Sequence, residues 1–144
     1  MERSRTRVVV SALIALTVLT AGCGTDETDP SPPSPSSSPR PSSTAKLAIL
    51  SPENGSAVQG STVDLELSLQ GARVVKQTSS DLSPEEGHLH VLLDGSLIAM
   101  NYRLGDEIPD VGTGPHRIDV EFVASDHAPF DPRVTAVASF QVEP

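Results

Sequence analysis

From Lys46 onward the chain alternates apolar and polar residues with period two. Val63, Leu65, Leu67 and Leu69 are separated by Asp64, Glu66 and Ser68, which is the pattern of a strand with one wet face. His116, Ile118, Val120 and Phe122 alternate in the same way with Arg117, Asp119 and Glu121, and Val134, Ala136, Ala138, Phe140 and Val142 form a third inward set. Leu89, Val91 and Leu93 alternate with His88, His90 and Leu92, so that strand has both faces covered or one face set aside for another purpose. Asp94-Gly95 reads as a tight hairpin turn into a strand over 96–100, and an opening strand near Leu47–Leu50 stops at Ser51-Pro52-Glu53-Asn54-Gly55. Ser83-Pro84-Glu85-Glu86 has the residues to cap a single helical turn, and no long helix is indicated. About seven short strands in roughly 100 residues predict an all-β fold, an immunoglobulin-like antiparallel β-sandwich, with a small β-barrel as the alternative.

The first 45 residues carry none of this pattern. Arg3, Arg5 and Arg7 precede an apolar run from Val8 to Ala21, 14 residues long. That is short of the roughly 20 that span a bilayer, and it has the layout of a secretory signal peptide. Residues 30–43 contain only six prolines, seven serines and Arg40. Such a stretch has almost nothing apolar to bury and predicts a disordered, extended linker with polyproline II bias. The expected division is a signal peptide over 1–22, a tether over 23–45 and a folded domain over 46–144.

Thr20-Ala21-Gly22-Cys23 resembles the lipobox of bacterial lipoproteins, with Leu19 one place early and Thr20 where leucine is usual. The resemblance implies that the Cys23 thiol is acylated with diacylglycerol and becomes the mature N-terminus, on the extracytoplasmic face of the cell membrane. Cysteine arithmetic agrees: Cys23 is the only cysteine, and an exported lone thiol is reactive unless modified. Removing Glu2, Arg3, Arg5 and Arg7 from the 19 acidic and 10 basic residues leaves 18 and 7, a charge of −11. No polybasic patch can hold such a chain to a membrane, whereas two acyl chains can.

The same charge, with aromatic residues at only 3%, argues against a nucleic-acid partner, which needs clustered cations and stacking faces. Gly87-His88-Leu89-His90-Val91-Leu92-Leu93-Asp94-Gly95, Gly114-Pro115-His116 and Ser125-Asp126-His127-Ala128-Pro129 resemble small Ig-like domains of bacterial envelope proteins whose function is unknown. The resemblance spans roughly 51–142 and implies fold and compartment, without an activity.

Chemistry is concentrated in four histidines. His88 and His90 lie two apart on one strand face, with Cα atoms about 6.6 Å apart from the strand rise. In an Ig-like order the 87–93 strand pairs antiparallel with 116–124, which puts Asp126 and His127 beside His88. His88, His90 and His127, with Asp126 as an oxygen donor, are the candidate zinc or copper ligands, and binding should weaken below about pH 6 as the imidazoles protonate. The absence of Met-rich sequence speaks against Cu(I). His116 falls about 26 Å away along its strand and is assigned a structural role. Asp106, Glu107 and Asp110 read as a solvated loop, with no calcium-loop pattern. No nucleophile motif or phosphate loop is present, so the domain is expected not to be an enzyme. The expected function is a membrane-anchored, non-catalytic binding or structural module, with another envelope protein as partner; the alternative is a metal-binding lipoprotein using the three histidines.

Overall fold

The computed structural model describes residues 39–76 and 78–144; the expected signal peptide over 1–22, Cys23 and most of the expected tether lie outside them. Among the described residues nine strands follow in chain order: β1 (Lys46–Ser51), β2 (Ala57–Gln59), β3 (Val63–Gln70), β4 (Arg73–Val74), β5 (Glu86–Leu93), β6 (Ser96–Asn101), β7 (Gly105–Ile108), β8 (Gly114–Ala124) and β9 (Pro129–Glu143). Three form one sheet in the order β1-β3-β7. The other runs β2-β9-β8-β5, with β4 and β6 both on the outer edge of β5. First, third and seventh strands facing ninth, eighth and fifth is the immunoglobulin-like arrangement, so the sandwich expectation holds. Two short pairings at the edges, β2 with β9 and β4 with β5, are parallel.

The period-two pattern lands where it should. Leu65 and Leu67 of β3, Leu89 and Val91 of β5, Ile118, Val120 and Phe122 of β8, and Ala138, Phe140 and Val142 of β9 fill the space between the sheets. The register of β8 on β9 slips after Phe122, where Phe130 turns inward and lies 5.3 Å from the Phe122 ring, centroid to centroid. Asp94 (φ 50°) and Gly95 (φ 82°) make the expected tight turn between β5 and β6, with both residues left-handed. Among the described residues there is no helix. Pro84-Glu85 forms a turn, and β5 already pairs with β4 at Glu86, which leaves no room for a helical turn at Ser83–Glu86.

The domain begins earlier than Lys46. Arg40 grips the β8–β9 turn: its guanidinium donates to both carboxylate oxygens of Asp126 at 2.6 and 3.0 Å, to the Ala128 carbonyl at 2.9 Å and to the Pro129 carbonyl at 2.8 Å. The Pro41 carbonyl accepts from the Asp131 amide at 3.0 Å, and Ala45 packs against the core. Residues 39–45 therefore belong to the folded unit. A single cation among prolines and serines is enough to dock them, because it meets a carboxylate and two carbonyls at once.

Candidate metal centre

Because Leu89 and Val91 point into the core, His88 and His90 must point to the outer face of the larger sheet. On β8 their neighbours are Val123, opposite His88, and Glu121, opposite His90. Glu121 is itself paired with Arg133. Gly87 precedes the two histidines for a steric reason: a Cβ there would lie 2.0 Å from the Val123 carbonyl oxygen. Only glycine fits at this point of β5 against β8; the next residue, His88, is 1% exposed on the outer face, packed among the rings of His90, His127 and Tyr102.

The third histidine arrives through a turn. The His127 amide donates to the Ala124 carbonyl at 2.9 Å, and the Ala124 amide to the Ala128 carbonyl at 3.1 Å. This is a three-residue hairpin loop whose last position is left-handed, and His127 occupies it at φ 66°. Glycine or asparagine is the ordinary choice there; a histidine costs about 1 kcal/mol of backbone strain. Asp126 steadies the loop by accepting from the Ala128 amide at 3.1 Å.

One nitrogen from each of His88, His90 and His127 lies within 4.8 Å of the other two. The Nε2 atoms of His88 and His90 are 3.2 Å apart. Ring centroids are 4.3 Å apart for His88–His127, 5.1 Å for His88–His90 and 6.0 Å for His90–His127. Tyr102 flanks His88 at 5.4 Å, and Thr78 Oγ1 lies 3.5 Å from His127 Nε2. The cluster is closed at His88, half-buried at His90 and open to water at His127.

Burial, reinforced by the neighbouring His127 and His90, pushes the His88 pKa down to about 4. Burial also lowers His90, with His127 adding to the effect and Glu121 opposing it. Both rings are therefore held neutral at physiological pH, the state in which imidazole ligates metals.

The expected oxygen donor is not there. Asp126 turns its carboxylate to Arg40, whose hydrogen bond holds it below the usual carboxylate range. His116 stands apart at the other end of β8, its Nδ1 2.7 Å from Asp94 and its Nε2 2.8 Å from the Gly112 carbonyl; the Asp94 bond raises its pKa. In the acidic loop Asp106 is paired with Arg103. Tyr102 and Thr78, which lie against the rings, belong to no sequence motif that marks them.

No family model and no curated protein matches the chain. Solved structures similar to it include fibronectin(III)-like modules of Clostridium thermocellum CbhA, at 17% identity over 67% of this chain and 93% of that one, with a TM-score of 0.47. The PKD domain of human KIAA0319 is similar at 16% identity, over 77% of this chain and 91% of that one, with a TM-score of 0.47. The CARDB domain of PF1109 from Pyrococcus furiosus is similar at 13% identity, over 68% of this chain and 93% of that one, with a TM-score of 0.44.

Proposed function

We propose that this chain is an extracytoplasmic lipoprotein, held to the cell membrane through acylated Cys23, whose Ig-like domain is a non-catalytic module that binds one transition-metal ion, copper or zinc, on His88, His90 and His127. The observation that carries the metal reading is the spacing of the three imidazole nitrogens. Two nitrogens on one tetrahedral ion with bonds of 2.0–2.1 Å sit about 3.3 Å apart. His88 and His90 already stand at 3.2 Å. His127 needs only to close in from the exposed turn, within a triangle no wider than 4.8 Å. The strained backbone at His127 supports the same reading, since a cheaper residue would make the turn equally well. The membrane assignment rests on the lipobox-like Thr20-Ala21-Gly22-Cys23 and on the solitary cysteine.

A second reading, docking of another envelope protein, is favoured by β6, which among the described residues pairs only with β5. There Leu97 and Ile98 are about half exposed.

Titration of the detergent-solubilised full chain with Zn(II) and Cu(II) at pH 7.5 tests the metal reading. One ion per chain is expected, with binding lost in a His90→Ala/His127→Ala variant. Binding only at submillimolar concentration, unchanged in the variant, overturns it. Cys23→Ser is expected to lose the diacylglyceryl mass and membrane retention; unaltered fractionation removes the anchor.

A further inference from the structure

Resting on the metal reading, we propose that Met100 completes the site as a thioether ligand, which makes it a copper site that holds Cu(I) as well as Cu(II) in preference to zinc. The inference comes from the register of β6 on β5. Met100 is the direct cross-strand partner of His90, and Ala99 is that of Val91. Val91 is fully buried in the core, so Ala99 shares the inner face, and Met100 shares the outer face with His90. Cross-strand partners have Cβ atoms about 4.5–5.5 Å apart, a gap that the three torsions of a methionine sweep easily. One step further along the same face, Tyr102 lies against His88. The two histidines are thus flanked on the β6 side by a phenol and a thioether, with His127 reaching in from the β8–β9 turn.

Met100 does nothing for the core. It is 46% exposed, a large apolar side chain in water. It is also the only methionine besides Met1. Its position follows from a register shift between Val91 and Leu92, where Ile98 is the extra residue of β6. Without that bulge a two-residue turn would place Ala99 opposite His90, and Met100 would fall on the other face. Bulges re-aim side chains beside functional sites, and this one re-aims a sulfur. Thioether sulfur is a soft donor that favours Cu(I), whereas zinc gains little from it.

The test compares the full chain in detergent with its Met100→Leu variant, a swap that conserves volume at an exposed position. Cu(I) affinity is read by competition with a chromogenic Cu(I) chelator, Zn(II) affinity by a zinc dye, and copper ligation by X-ray absorption. The expected result is a sulfur scatterer on Cu(I) in the parent that disappears in Met100→Leu. Cu(I) affinity should fall about tenfold or more while Zn(II) affinity stays within about twofold, as losing one of four ligands implies. Nitrogen-only ligation in the parent, or equal Cu(I) affinity in the variant, overturns the assignment of Met100 and leaves the three-histidine site standing. A parent that binds neither metal overturns both.

Discussion

His127→Asn isolates the contribution of the third imidazole with little disturbance to the fold. The residue is exposed, and its backbone is left-handed at φ 66°. Asparagine tolerates that conformation better than histidine does, so the loop loses no stability from the backbone. The lost contacts are the His88 ring, 4.3 Å away between centroids and worth about 0.5 kcal/mol, and the long 3.5 Å approach of the exposed Thr78 hydroxyl. Strain relief of similar size offsets them, and the metal-free variant should melt within about 3 °C of the parent. The metal response is where the two proteins part. An ion present at 100 times its dissociation constant stabilises the folded state by about 2.7 kcal/mol, near 11 °C in a domain of this size. Removing one of three imidazoles weakens binding about 100-fold, which leaves about 0.4 kcal/mol, or 2 °C, at the same concentration. Thermal melts of both proteins, with and without Cu(II) or Zn(II), read this difference directly. A full metal-induced shift in His127→Asn would refute the claim that His127 is a ligand.

Two further outcomes follow from the packing. Gly87→Ala must place a methyl group 2.0 Å from the Val123 carbonyl oxygen and 3.0 Å from the Phe122 ring, so it should lose about 3 kcal/mol or more, seen as a melting point at least about 10 °C lower; an unchanged melting point would contradict the close β5–β8 approach. The His116–Asp94 pair gives a defined pH signature. The raised His116 pKa contributes stability that is full below its ordinary 6.5 and fades as pH rises through the folded value. The Asp94 pKa, lowered by the Arg117 amide and then by His116, contributes stability present above its ordinary 3.8 and lost as pH falls through the lowered value. The stability difference between the parent and His116→Gln should therefore peak near pH 5–6, at under about 1 kcal/mol because Asp94 is half exposed, and shrink toward pH 9 in urea titrations. Acid loss caused by His88, whose pKa of about 4 makes the unfolded chain the better proton acceptor, is common to both proteins and cancels in that difference. A difference that grows with pH would be the wrong sign.

The sandwich was legible because alternation reports burial directly: Leu65, Leu89, Val120 and Phe140 are inward in the sequence pattern and inward in the fold. The meeting of His88, His90 and His127 was legible for a related reason. One antiparallel pairing, 87–93 on 116–124, brings the far end of β8 back to the start of β5, and that pairing is observed. What sequence could not supply were the exceptions to regularity. The extra residue Ile98 shifts Met100 by one place, and nothing in Ser96–Met100 marks it as a bulge. Asp126 sits beside His127 in the chain and was expected beside it in space, but Arg40 competes for the same carboxylate from 86 residues away. Proline-serine composition describes the average behaviour of residues 30–43 and cannot show that one arginine among them has a partner. The left-handed backbone at His127 was equally hidden, because Ser125-Asp126-His127 offers neither the glycine nor the asparagine that usually marks such a position.

The grip of Arg40 on the β8–β9 turn also has a mechanical consequence. Any pull on the chain from the side of residue 39 is delivered first to Asp126 and the Ala128 and Pro129 carbonyls, ahead of the hydrogen-bonded ladder of β1. The element that takes the load is the hairpin loop bearing His127. Loss of the Arg40 guanidinium would release the Asp126 carboxylate and the Ala128 and Pro129 carbonyls together, so the placement of the His127 ring is coupled to the docking of a residue 87 positions earlier in the chain.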